Sequence, residues 1–381
     1  MQVQSDVSNL LTLNAAGTLP LNTKPRLDLE TLLSKGVSHK TKHPAPIDVI
    51  QIAGSNFGLR GMISALTGPP KSGKTTVIGY ILSTCFAHPS DPKESLNVLS
   101  SFAKGRDVVY LDFEQHVSST QDLHDKVLRY AGLEEKPDNL HILNLLEYTL
   151  DQRRDAILTC FEKLDLHLIV VDGLADVLTS VNDEEKSNQL IDELSILASK
   201  HNACVLVVIH ENKGGGSVRG HLGSQIERKC AGLLSIKKNR EQKMHSIESR
   251  LIRVGDDFET QYFHWSDEHK RMVLADDVTT ESLKKEAAEQ QTDKGVAQVL
   301  EAMNDITQME YPILLARLKE IEPGASERTY ERKVESAVAH GYLTKEGKGK
   351  KAIYSKTTHI LPTSDLPDFK PDQDPNKPTP F

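Results

Sequence analysis

The chain has 381 residues, with 46 Lys and Arg against 54 Asp and Glu for a net charge of −8, and 38% apolar residues. No apolar run approaches the roughly 20 residues that span a bilayer, and the first 25 residues lack a basic region followed by an apolar one. Both observations argue against membrane insertion and secretion, and for a cytoplasmic location. The four cysteines, Cys85, Cys160, Cys204 and Cys230, show no metal-ligand spacing and read as core residues, not a disulfide framework. An acidic total does not exclude nucleic acid, because binding depends on where cations cluster.

Taken in order, residues 1–45 read as an N-terminal arm and linker. A polar lead precedes a short helical pattern in "LDLETLLSKGV" and the linker "SHKTKHPAP"; the segment is either a tether or docking arm, or a loose terminus. Residues 46–276 alternate short apolar runs ("MISALTG", "DVVYLDFE", "LHILNL", "LHLIVVD", "ACVLVVIH", "AGLLSIKK") with amphipathic stretches such as "NQLIDELSILASKH". That alternation predicts an α/β domain with a largely parallel sheet, and "RLIRVG" and "TQYFHWSD…RMVLAD" add shorter hairpin strands. Residues 277–294 are polar and read as a linker. Residues 295–357 form a small separate module, and the Pro- and Asp-rich residues 358–381 are expected to be disordered.

"GPPKSGKT", Gly68 to Thr75, fits G-x-x-x-x-G-K-[ST] between a predicted strand and the helical "TTVIGYILSTCFA". Gly68, Pro69, Pro70, Lys71, Ser72 and Gly73 predict a loop whose N–H groups wrap phosphates, with Thr76 following in the helix. Lys74 places a charge on the β/γ-phosphates, and Thr75 offers a hydroxyl to Mg²⁺. Asp172 ends the run "LHLIVVD" and completes the metal shell. For the group that orients water, "VVYLDFEQ" offers Asp112 and Glu114, which residue chemistry alone does not separate. His210 ends the next strand at the height of the nucleotide, as a phosphate sensor or an ordinary polar residue. Beyond it Lys213 and Arg219 bracket Gly214, Gly215 and Gly216. They read as cations for a neighbouring subunit's nucleotide, as contacts to a nucleic-acid backbone, or as a solvated loop. The guanine-reading N-K-x-D is missing its Asp after Asn212 and Lys213, so ATP is favoured over GTP.

The ordered set "GPPKSGKT", "VVYLDFE", "LIVVDGLADV", "VVIHENKG" and "VRGHLGSQ" resembles the RecA/KaiC-like ATPases of the plasmid RepA helicase type, close to ATP-binding proteins of bacterial mobile elements. The resemblance spans roughly residues 45 to 275. It implies a RecA-like P-loop core, nucleotide held between subunits of a ring, commonly a hexamer, and single-stranded DNA in the channel. It matches Glu114 to the catalytic glutamate, Lys74 and Thr75 to the P-loop pair, and Asp172 to the Walker B aspartate. His210 matches the sensor, Arg219 the arginine reaching into the adjacent site, and Lys213 a second cation. The glycine tract departs from the plasmid helicase loop.

In residues 295–357, Val296, Val299, Leu300 and Met303 make one apolar helical stripe, and Ile313, Leu314, Leu318 and Ile321 a second. Ser326 reads as the N-cap of a third helix over about 327 to 340, with Gly341 at its C-terminal end. Two strands finish the module, whose order resembles a winged helix-turn-helix that places its third helix in the major groove of duplex DNA. Arg328, Arg332 and Lys333, with Tyr330 also available, are expected to be exposed there. Lys345, Lys348, Lys350 and Lys351 populate the wing. From Arg328 to Lys356 eight Lys and Arg stand against three acids, which favours phosphate contact, although such modules also mediate protein contacts. The sequence thus predicts a ring-forming ATPase that is a DNA helicase or translocase. The rival is an ATP-gated DNA-binding regulator; a small-molecule kinase lacks any lid signature.

Overall fold

A run such as "LHLIVVD" has no polar face, so as a strand it must be covered on both sides. The computed structural model describes residues 28–40, 45–211, 220–304 and 306–357, and the chain divides into two units, Met1–Ile47 and Asp48–Phe381. In the first, α1 (Leu29–Ser34) starts at Asp28, whose carboxylate accepts from Thr31 N at 2.8 Å and Thr31 Oγ1 at 2.7 Å. Residues 1–27 and 41–44 of the arm and the 358–381 tail lie outside the described residues.

In the second unit, β1 (Asp48–Ile52), β2 (Ser55–Leu59) and β4 (Val98–Ser100) form a small antiparallel sheet. Among the described residues the main sheet has nine strands. Six are parallel: β3 (Ile63–Gly68), β5 (Asp107–Asp112), β6 (Leu140–Asn144), β7 (Leu166–Asp172), β8 (Cys204–His210) and β9 (Gly232–Asn239). Antiparallel β10 (Met244–Ile252), β11 (Gln261–Ser266) and β12 (Arg271–Leu274) extend one side, giving the order β12-β11-β10-β9-β3-β8-β7-β5-β6. This mixed, mostly parallel sheet is the core of a RecA-like P-loop domain.

Alternate residues of the central strands feed opposite faces. Val108, Tyr110, Leu168, Val170 and Leu206 pack with α2 (Lys74–Thr84) and α3 (Val117–Ala131). Val109, Leu111, Ile169, Val171 and Val207 pack with α4 (Leu150–Lys163), α5 (Glu184–His201) and α6 (Gly220–Lys229). The thiols share this burial: Cys85 and Cys204 lie in one layer, Cys160 and Cys230 in the other, all free. Burial pushes Cys160 and Cys230 up to about 11 and Cys85 to about 12, and raises Cys204 as well.

Register brings the chemistry to one edge. Gly68 lies opposite His210, Asp112 opposite Asp172, and Asp172 opposite Val208. Strand β8 therefore stands between the phosphate-loop strand and the strand that ends on Asp172, and the carboxyl ends of β3, β5, β7 and β8 share one rim.

The polar stretch expected as a linker is instead the first two-thirds of α7 (Asp277–Met303), one uninterrupted helix. Asp276 caps it by accepting from Thr279 N at 2.7 Å. Lys284 bridges to Glu259 at 2.8 Å and Glu281 at 3.2 Å. The stretch is short of large apolar residues, with Leu283 buried and Val278 exposed, because most of it is exposed, while its Ala, Glu, Lys and Gln favour helix. Its last turns pack Val296, Val299 and Met303 against α8 (Tyr311–Ile321) and α9 (Glu327–Ala339). Strands β13 (Gln308–Glu310), β15 (Ile353–Lys356) and β14 (Leu343–Glu346) pair antiparallel in that order. Leu314 and Leu318 enter this core, but Ile313, assigned to the same stripe, is 51% exposed. Ser326 caps α9 through Thr329 N at 3.2 Å, and Gly341 follows it at φ +77°. Among the described residues no helix is long and apolar enough to cross a membrane.

Candidate active site

The loop from Gly68 to Lys74 owes its shape to two glycines. At Gly68, φ is +150° and a Cβ would lie 2.2 Å from the Ile236 carbonyl oxygen. At Gly73, φ is +106° and a Cβ would meet His245 Nδ1 at 3.0 Å. His245 of β10 braces the loop from beneath, its Nδ1–H donating to the Ser72 carbonyl at 2.6 Å and its ring stacking on Phe263 at 5.1 Å. Pro69, Pro70 and Lys71 are exposed, while Thr75 and Thr76 sit half-buried in the first turn of α2. Gly73 leaves that turn without a side-chain cap. Ser72 is buried, and its hydroxyl has no hydrogen-bond partner among the described residues. An uncapped helix N-terminus, a cradle that a Cβ would fill and an orphaned buried hydroxyl fit a polyphosphate.

Lys74 Nζ donates to Gly68 O at 2.8 Å and Pro69 O at 3.1 Å, and reaches His210 Nδ1 at 3.4 Å. Burial lowers its proton affinity, against the opposing charges of Asp172, Glu114 and Glu211. His210 turns its other nitrogen to Glu114, with Nε2 at 3.0 and 3.1 Å from the two carboxylate oxygens. The network assigns the tautomer: Nε2–H donates to Glu114, and Nδ1 accepts from Lys74. The bond from His210, more than the charge of Lys74, lowers the Glu114 carboxyl below its ordinary value. Three of the sequence candidates thus form one chain, Glu114–His210–Lys74.

The structure separates the two carboxylates that residue chemistry left open. Asp112 is fully buried and accepts from Glu114 N at 3.2 Å, Gln115 N at 2.9 Å and Thr120 Oγ1 at 2.7 Å. It is consumed in ending β5 and starting α3, whereas Glu114 faces the loop. Asp172, 5% exposed, accepts from the Tyr110 hydroxyl at 2.6 Å, which in turn accepts from Gln115 Nε2 at 3.3 Å. Tyr110 and His245 were not among the sequence candidates. A tyrosine two positions before Asp112 in a buried run was the one signal for the first; nothing local marked the second. Glu211 was also passed over: its carboxylate accepts from Ser235 Oγ at 2.6 Å and lies 3.8 Å from Arg250 Nη1.

Burial pushes the Asp172 carboxyl up to about 6, with Asp112 and Glu114 adding to the rise and the Tyr110 bond and Lys74 opposing it. The folded chain then binds more protons here than the unfolded chain between its ordinary value of 3.8 and about 6. The associated stability is present below that window and lost as pH rises through it. Asp172→Asn keeps an acceptor for Tyr110 and removes the buried charge. In chelator at pH 8 it is expected to stabilise the chain by roughly 2–3 kcal/mol, read as a rise in melting temperature of several degrees. An unchanged or lower melting temperature would contradict this electrostatic picture.

Lys213 and Arg219, with the glycine tract between them, lie outside the described residues. In the C-terminal module Arg328 and Arg332 are exposed on α9, as are Lys348 and Lys351 beside β15. Lys350 is in the same turn, but its side chain lies outside the described residues. Two expectations are corrected. Lys333 turns inward, bonding to Gln298 Oε1 at 2.6 Å and to Glu322; Tyr330 is 1% exposed and donates to Glu322 O at 2.5 Å. α9 packs this face onto α7, where Gly295 gives the Lys333 stem room. The outer face of α9 also carries exposed Glu327, Glu331 and Glu335.

The fold and this constellation define a P-loop ATPase domain. Residues 45–216 match the family model of the AAA domain. No curated protein matches the chain.

Proposed function

We propose that the chain is an ATP-driven DNA helicase or translocase of the RepA type, working in replication or mobilisation of a plasmid or mobile element. It acts as a ring with the nucleotide seated between adjacent subunits. The observation that carries this reading is the Glu114–His210–Lys74 chain. It joins the water-orienting carboxylate to the phosphate-loop lysine through the residue that ends β8, immediately before the segment from Asn212 to Arg219. Gly68 to Thr76 hold the phosphates through backbone N–H groups, and Lys74 exchanges its carbonyl partners Gly68 and Pro69 for β/γ-phosphate oxygens. Thr75 and Asp172 would hold Mg²⁺, which would screen the phosphate charge. Glu114 accepts a hydrogen bond from the attacking water and aligns it. His210 passes the change at Lys74 to the glycine tract, where Lys213 and Arg219 serve the adjacent subunit's site or a strand in the channel.

The C-terminal elements follow the order helix, strand, helix, helix, strand, strand with the sheet order β13-β15-β14, which supports a winged helix-turn-helix. On that reading α9 presents Arg328 and Arg332 to duplex DNA, and the turn with Lys348, Lys350 and Lys351 is the wing. The alternative, an ATP-gated DNA-binding regulator or loader, is favoured by the continuity of α7. One unbroken helix couples the module to the ATPase sheet without any strand in a channel.

The test is ATP hydrolysis by the full chain with and without single-stranded DNA, followed by strand displacement. Stimulation by single strands together with displacement is the expected result; hydrolysis indifferent to single strands would leave the regulator. In the duplex arm, Arg328→Ala with Arg332→Ala should flatten the salt dependence of binding by about 0.9 in log–log slope for each phosphate left without its cation. Lys333→Ala should leave that slope unchanged.

A further inference from the structure

We propose that Asp176 is a positioning residue for hydrolysis, placed by the turn after Asp172 to keep the Glu114 carboxylate turned toward His210. The proposal rests on the hydrolase reading of the same site and adds to it a residue which neither the phosphate-loop motif nor the run ending at Asp172 singles out.

The geometry comes from Gly173, at φ +90°. A Cβ there would lie 2.8 Å from Glu114 Cγ and 2.9 Å from Asp176 Oδ2. Both acidic side chains therefore lie against the same bare α-carbon, in space that any other residue would fill. Asp176 is fixed from its own side by a single 3₁₀ turn, Leu174–Val177, in which its N–H donates to Gly173 O at 2.9 Å. Leu174 and Val177 anchor that turn in the core. Glu114 follows the buried Phe113 just past β5, its N–H bonded to Asp112 Oδ1 at 3.2 Å, and its carboxylate is held at its tip by His210 Nε2, at 3.0 and 3.1 Å.

Two like charges on side chains packed against one α-carbon repel each other, so the arrangement favours a Glu114 carboxylate turned away from Asp176. The Asp176 carboxyl is raised by burial first and by Glu114 second, with Arg153 and His210 opposing. Arg153 cannot swing over to neutralise Glu114 without breaking its own bonds, because it donates to Leu145 O at 3.3 Å and Leu146 O at 2.8 Å. Among the described residues the charged groups that act on Asp176 are thus Glu114, Arg153 and His210, and Glu114 carries the one like charge among them. Its stable direction is toward His210 and, beyond it, Lys74.

The experiment is steady-state ATP hydrolysis by the full chain carrying Asp176→Asn or Asp176→Glu, with the Kd for a fluorescent ATP analogue and the melting temperature measured alongside. Asp176→Asn is expected to lower kcat by on the order of 10- to 100-fold, the scale of a misplaced reacting group, with KM, Kd and melting temperature unchanged. Asp176→Glu restores the charge and is expected to keep more of the turnover. Wild-type kcat in Asp176→Asn, a parallel loss of affinity or melting temperature, or Asp176→Glu as slow as Asp176→Asn would each overturn the positioning role. Those outcomes are separable from failure of the hydrolase reading, which would show as a wild-type chain that binds the analogue and releases no phosphate, and would overturn both.

Discussion

Glu114→Gln is expected to bind ATP as the wild type does and to hydrolyse it roughly 10²- to 10⁴-fold more slowly, the range for loss of a positioned general base. The substitution is nearly isosteric. It keeps the Cγ that rests over Gly173 and an oxygen to accept from His210 Nε2, so the site is not dismantled. It removes the negative charge that polarises water. It also removes the group whose proton affinity the His210 bond holds low. Single-turnover phosphate release, with nucleotide affinity measured separately, makes the comparison. A variant within tenfold of wild type would mean that Glu114 does not orient the water.

Gly68→Ala is expected to destroy the phosphate site. Its Cβ would stand 2.2 Å from the Ile236 carbonyl, a backbone atom of β9 that cannot rotate aside, and φ of +150° already disfavours a side chain. Either β3 and β9 separate or the loop changes course. The expected cost is about 3 kcal/mol or more, with nucleotide binding lost. Gly54→Ala is the control: φ is +81°, but a Cβ there meets nothing within 4 Å, so only the conformational cost of about 1–2 kcal/mol applies. Thermal melts of both variants, with nucleotide binding, test this. Equal effects would show that the close approach at Gly68 is unimportant.

The strands that carry the site were legible because they are buried on both faces. A run such as "LHLIVVD" has few other uses, and its terminal Asp172 falls where the motif requires it. The small sheet was not legible: "SNFGL" and "VLS" are too short and mixed to show a period, and they become strands only through pairing with β1. The first two-thirds of α7 was hidden for the opposite reason, since a mostly exposed stretch of helix carries no apolar stripe to read. On α9 the charges were visible but their directions were not. Lys333 and Tyr330 lie on the side that meets α7 and Glu322, and nothing in their own neighbourhood distinguishes them from Arg328 and Arg332. At the site, residue chemistry alone left Glu114 and Asp112 open and only the family resemblance favoured Glu114; the physical distinction is that Asp112 is occupied by three donors. The brace from His245 arrives from a strand more than 170 residues away and leaves no local trace.

The four buried thiols give the chain a practical property. All the cysteines in the sequence sit in the two core layers, and burial keeps each of them protonated at neutral pH. A cysteine introduced on the surface, for example at Lys348 or Ile196, becomes the one readily reactive position for a maleimide dye. Pairs of singly labelled chains can then report by energy transfer how many copies associate and how far apart they stand, with the native protein as its own unlabelled background.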